Sequence, residues 1–185
     1  LLDESGSMYG SRINSCRKVG ILLANAIKKI PNVYLSVYGH TTADSFGGDG
    51  KDCVVNKYLE RNVGDLRRLG AVYSHSCNLD GLAIKWVGEE ALKSTATSRW
   101  LLVLSDGTPS GSGYYGSSAN RHTKEQVDTL MKKGLKVIGV AIEDKKVAEL
   151  YKHNVKFMNP SKLVSDLRKL VTRIIRESVE ADLVQ

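Results

Sequence analysis

The chain has 185 residues, 42% of them hydrophobic and 25% charged, with a formal net charge of +7. These values fit one globular domain with a sizeable core and exclude extended disorder. The basic excess is dispersed among acids, with no aromatic-interleaved basic stripe, zinc-finger or helix-turn-helix pattern, so nucleic acid is an unlikely partner. Cys16, Cys53 and Cys77 are too few, and odd in number, for a disulfide framework, which points to a reducing, cytoplasmic compartment. No run reaches the length of a membrane span.

Leu1 and Leu2 read as the tail of a buried strand, and residues upstream of Leu1 are therefore expected. The strand ends in DESGS. Ser11 to Ile30 reads as a helix, with Ile13, Cys16, Gly20, Leu23, Ile27 and Ile30 on one narrow face and Pro31 and Asn32 as its stop. Val33 to Tyr38 reads as a second strand, followed by a polar, glycine-rich excursion, HTTADSFGGDGKD. Cys53 to Leu59 reads as a short edge strand and Asp65 to Leu69 as a helical turn. Asp80 to Ser94 is a predicted helix with Leu82, Ala83, Trp86 and Val87 inward.

WLLVL, Trp100 to Leu104, is an uninterrupted apolar run of the kind covered on both faces in a central strand, and it ends in SDGTP. SGSGYYGSS reads as a loop, either a recognition loop presenting Tyr114 and Tyr115 or a flexible linker. Then follow a helix over Asn120 to Lys133, a central strand over Leu135 to Ile142, a helix over Lys145 to Tyr151 and a short strand over Val155 to Met158. Asn159, Pro160 and Ser161 start a last helix running to about Val179, with Leu163, Leu167, Leu170 and Ile174 on one side.

Alternating strands and helices predict an α/β fold: a doubly wound, mostly parallel, Rossmann-like sheet with helices on both faces. In such sheets ligands bind beyond the carboxyl ends of the strands. DESGS and SDG both lie at such ends, so Asp3, Ser5, Ser7 and Asp106 are expected to meet. They offer only oxygen. Hard divalent cations take oxygen ligands, and a small octahedral ion such as magnesium would keep positions for water or for a partner's acid. Zinc's preferred Cys and His donors are missing from this group.

Other motifs lead nowhere. SHSC with Cys53 lacks zinc-site spacing. GGDGKD fails as a phosphate loop, because Lys51 is followed by Asp52. No Ser/His/Asp triad assembles, His40 being the one histidine expected on the same rim.

DESGS is similar to the Asp-x-Ser-x-Ser signature of von Willebrand factor type A domains, which opens a metal-ion-dependent adhesion site. SDG, about a hundred residues downstream, resembles that family's second aspartate. The resemblance covers essentially all of residues 1–185. Where the family presents a threonine before a helix, this chain reads CNLDG. Asn78 stands at the threonine position and Asp80 two residues on, and either is a ligand or a helix cap. NLDGLAIKW, WLLVLSDGTPSG, HTKEQVDTLMKKG and LKVIGVAIEDKKVAELY together resemble the C-terminal domain of the CobT subunit of cobaltochelatase. That resemblance implies a magnesium site (with manganese or calcium as alternatives) on Asp3, Ser5, Ser7, Asn78, Asp80 and Asp106. It also implies a non-catalytic docking role beside an AAA+ ATPase subunit and a large chelatase subunit that inserts cobalt into a corrin ring in cobalamin biosynthesis, with a partner's acidic side chain at the metal. The alternatives are an adaptor for an AAA+ ATPase that remodels another metalloenzyme, and an adhesion domain outside the cell.

Overall fold

The computed structural model describes residues 1–143, 146–157 and 162–183. Its elements, in chain order, are β1 (Leu2–Asp3), α1 (Ser11–Ile27), β2 (Val37–Thr42), β3 (Cys53–Leu59), α2 (Asp80–Leu92), β4 (Trp100–Ser105), β5 (Ser110–Gly111), β6 (Tyr114–Tyr115), α3 (Gly116–Lys132), β7 (Lys136–Ile142), α4 (Val147–Leu150), β8 (Asn154–Phe157) and α5 (Leu163–Leu183). The 3₁₀ turns Gly6–Met8, Ala43–Phe46 and Leu66–Ala71 lie between them.

Six strands form one sheet in the order β3-β2-β1-β4-β7-β8, and β5 and β6 form a separate hairpin. All neighbours pair parallel except β2 with β3, which is the antiparallel edge. The strand order reverses between β1 and β4. That reversal leaves a crevice beyond their carboxyl ends, where Asp3 and Asp106 lie.

Side chains on successive strand residues face opposite layers, and here both layers are apolar. Leu2, Leu104, Ile138, Val140 and Ile142 pack toward Cys16, Val19 and Leu23 of α1 and Leu167 and Leu170 of α5. Leu1, Leu101, Val103, Val137 and Ala141 pack toward Ala83, Ile84 and Val87 of α2 and Val127 and Leu130 of α3. Each large side chain so buried contributes about 1.5–3 kcal/mol.

Several expected boundaries shift. The second strand runs not over Val33 to Tyr38 but over Val37–Thr42, taking in Gly39, His40, Thr41 and Thr42, all buried. Leu82 and Trp86 are 41% and 43% exposed rather than inward. The inner face of α2 is instead Gly81, Ala83, Ile84, Val87 and Gly88, because α3 approaches so closely that a Cβ at position 88 would overlap Leu130. SGSGYYGSS is a hairpin followed directly by the first turn of α3. The expected helix start at Asn159, Pro160 and Ser161, and Lys145 and Met158, lie outside the described residues.

Candidate cation centre

Asp3 ends β1 fully buried and is held by three donors. The Ser5 backbone N–H donates to Oδ1 at 2.9 Å, the Ser105 hydroxyl to Oδ2 at 2.8 Å and the Asn78 amide to Oδ2 at 3.3 Å. Ser5 and Ser7 occupy the 3₁₀ turn and its entry, their hydroxyls 3.0 Å apart. Neither Ser5 nor Gly10, which precede the 3₁₀ turn and α1, makes a side-chain cap bond, so DESGS is not a capping motif here. Asp106 follows β4. Its Oδ1 accepts from the Thr108 N–H at 3.1 Å and its Oδ2 from Arg12 Nη1 at 3.0 Å.

The stretch before α2 completes the cluster. Asn78 reaches Asp3 with its amide and accepts the Ser110 N–H on its side-chain oxygen at 2.6 Å. Asp80 is the first residue of α2, yet its carboxylate caps nothing. It is 1% exposed, and neither oxygen has a hydrogen-bond partner. The structure therefore brings Asp3, Ser5, Ser7, Asn78, Asp80 and Asp106 to one end of the sheet, with only Ser7 exposed.

Ser105 and Arg12 also belong to the site, Glu4 lies behind it, and His40, the histidine expected on the same rim, stands beside it. Ser105 ends β4 and also accepts the Gly107 N–H at 2.9 Å. Arg12 bridges Asp106 and the Ser7 carbonyl oxygen. Glu4 is buried on the opposite face of the sheet from Asp3, where the Tyr58 hydroxyl and Asn56 Nδ2, the latter at 2.7 Å, donate to its carboxylate. A Cβ at Gly39 would overlap that carboxylate, so glycine is needed there for close approach. His40 pairs in register with Asp3 in the parallel β1–β2 ladder, which sets both side chains on the α2 face. Its Nε2 lies 3.5 Å from Asp80 Oδ1. The histidine expected on the rim is therefore beside Asp80.

Electrostatics sharpens the picture. Asp80 is pushed well above the usual carboxylate range, first by burial, then by the charges of Asp3 and Asp106. Asp3 is raised by burial against the pull of its hydrogen bonds. Asp106 is raised by burial and by Asp3, against Ser7 and Arg12. His40 is pushed down to about 3 by burial, so the imidazole is neutral and its approach to Asp80 is not an ion pair. Three carboxylates beside one guanidinium leave a formal charge of about −2, which a divalent cation matches. Orphaned buried oxygens on Asp80 and hydroxyls on Ser5 and Ser7 fit that ion's donor chemistry. Among the described residues no group of three or more His, Cys, Asp and Glu side chains is placed to hold a metal, so hydroxyls and water would complete such a site.

No family model matches the chain, and no curated protein matches it. Among solved structures it is similar to one described as von Willebrand factor type A from Catenulispora acidiphila, with a TM-score of 0.58 and 14% identity. That likeness covers 94% of this chain and 41% of the other, so this chain spans less than half of that protein's length. The sheet order, the helical layers and this likeness together show that the chain has the von Willebrand factor type A fold.

Proposed function

We propose that the domain is a cation-dependent protein-interaction module. In this reading Asp3, Ser5, Ser7, Asp80 and Asp106 surround a divalent cation, magnesium or manganese, with water between the ion and part of the carboxylate set, and a carboxylate of a partner protein completes the site. The observation that carries the reading is the buried carboxylate of Asp80, with both oxygens unpartnered beside Asp3 and Asp106. A protein interior does not ordinarily leave such a group without a counter-charge.

The chain's own residues divide the work. Asn78 and Ser105 orient Asp3, and Arg12 holds Asp106 against the Ser7 turn. Ser5 and Ser7 offer neutral oxygens at the rim. When bound, the ion supplies a Lewis-acidic position for an oxygen of the partner's carboxylate. Exposed Tyr9 and Tyr115, on segments flanking the rim, supply the kind of aromatic contact that interfaces use.

The CNLDG stretch and its resemblance to the CobT subunit support a finer proposal. The module docks beside an AAA+ ATPase subunit and a large chelatase subunit, in the cytoplasm, and performs no chelation chemistry itself. All three cysteines are unpaired, and no helix among the described residues is long and apolar enough to cross a membrane.

Calorimetric titration with magnesium tests the first level. One ion bound by the wild type and none by Asp3→Asn supports the reading; equal binding overturns it. Affinity capture from the host with magnesium or with chelator tests the second level: an AAA+ ATPase retained only with magnesium is the expected result.

A further inference from the structure

Among the described residues, six buried side-chain atoms lack a hydrogen-bond partner, and four of them belong to one pair: both ring nitrogens of His40 and both oxygens of Asp80. Each residue is 1% exposed or less. Around them the other polar side chains are satisfied: Asp3 has three donors, Asn78 uses both ends of its amide, and Ser105 bridges Asp3 and Gly107. The deficit is local, and it lies beside Asp3, with which His40 pairs in register.

A direct hydrogen bond does not account for the pair. His40 Nε2 and Asp80 Oδ1 are 3.5 Å apart without hydrogen-bond alignment, whereas N–H···O bonds cluster at about 2.7–3.2 Å. The separation has another natural meaning. Two donors each about 2.0–2.2 Å from one ion lie roughly 3.0–3.5 Å apart at octahedral to tetrahedral angles. The in-register pairing of His40 with Asp3 sets the imidazole on the same face as the aspartate that opens the site.

We propose that His40 Nε2 and Asp80 are the two direct His/Asp donors of the cation centre, with hydroxyls and water filling the rest, and that the site therefore prefers a nitrogen-tolerant transition dication such as manganese over magnesium. The proposal rests on the reading of this cluster as a cation centre and names its class of ion. Neutral imidazole is a common metal ligand. A nitrogen donor favours first-row transition ions, while magnesium keeps to oxygen. This separates the site from the all-oxygen set that the DESGS and SDG motifs suggest by themselves.

The test uses the purified chain, with manganese and magnesium as separate probes. Electron spin-echo modulation of the manganese-loaded wild type is expected to carry the signature of a coordinated imidazole nitrogen. His40→Phe is expected to lose that signature and to bind manganese at least ten-fold more weakly. Absence of nitrogen modulation in the wild type overturns the proposal, and that measurement needs no variant to fold. Unchanged manganese affinity in His40→Phe overturns it too. If neither ion binds the wild type, or both bind Asp3→Asn equally well, the cation centre itself falls and this inference with it. Nitrogen-free manganese binding that Asp3→Asn abolishes removes only the role of His40.

Discussion

Arg12 Nη1 lies 3.0 Å from both Asp106 Oδ2 and the carbonyl oxygen of Ser7, so one guanidinium ties α1 to the two loops that carry the site. It is the positive group that offsets Asp106, and it competes with any ion for the same oxygen. Arg12→Ala is expected to destabilise the chelator-treated protein by about 1–3 kcal/mol, because a buried carboxylate loses its charged donor. The same variant is expected to bind divalent cations more tightly than the wild type. Thermal melts with and without magnesium read both effects; weaker cation binding in Arg12→Ala would show that Arg12 supports the ion rather than competing with it.

Asp80→Asn acts with opposite signs under the two conditions. Removing a buried charge from beside Asp3 and Asp106 is expected to stabilise the cation-free protein by on the order of 1 kcal/mol or more. With an ion at 100 times its dissociation constant, the wild type gains about 2.7 kcal/mol, and the variant is expected to lose that gain. Denaturant titrations in chelator and in magnesium check both arms. A variant that is less stable in chelator would mean that Asp80 makes a structural bond.

Cys53 offers a labelling readout. Burial first, and the charge of Asp80 second, push its thiol up to about 11. Only the thiolate is nucleophilic, so alkylation of Cys53 is expected to be slow at pH 7.5 and to rise about ten-fold per pH unit up to that value. An ion that cancels the charge of Asp80 lowers the thiol's pKa, so cation addition is expected to speed the labelling. Mass spectrometry of the Cys53 peptide after timed alkylation measures this; a rate independent of pH between 7.5 and 9.5 contradicts it.

Tyr114 connects the hairpin to the site. Its hydroxyl accepts the Gly81 N–H at 3.1 Å and lies 3.0 Å from both His122 Nδ1 and Thr123 Oγ1. Tyr114→Phe removes that acceptor from the first turn of α2. The expected cost is about 1–2 kcal/mol, with hydrogen exchange at the Gly81 amide accelerated at least ten-fold. Unchanged exchange there would show that the amide is protected by other means.

Much of this was legible in the sequence, for identifiable reasons. WLLVL and LKVIGVAI read as central strands because strands covered on both faces leave no polar side to confuse the pattern. DESGS and SDG could be placed together because both end such strands. Val33, Leu35 and Val37 alternate and suggest a strand from Val33, whereas the ladder begins at Val37 and continues through polar residues. Those polar residues are buried for a tertiary reason: His40 faces Asp80, and the Thr41 hydroxyl donates to the Cys77 carbonyl oxygen at 3.1 Å. SGSGYYGSS looks like a linker by composition, but reciprocal bonds between Ser110 and Asn78 order it. Asn78 illustrates the limit of motif reasoning. Its position matched an expected ligand, while its side-chain oxygen is engaged by the backbone of a hairpin that no local signal announced.

The contact of Gly39 with Glu4 has a consequence for how this chain can change. A Cβ at 39 would overlap the Glu4 carboxylate, which is itself pinned by Tyr58 and Asn56. Gly39→Ala therefore meets a wall while Glu4 is present, and the same change meets space once position 4 is shortened. Gly39→Ala is therefore expected to cost more with Glu4 present than after position 4 is shortened. The two positions, one beside Asp3 and the other beside His40, are expected to couple in stability rather than to add.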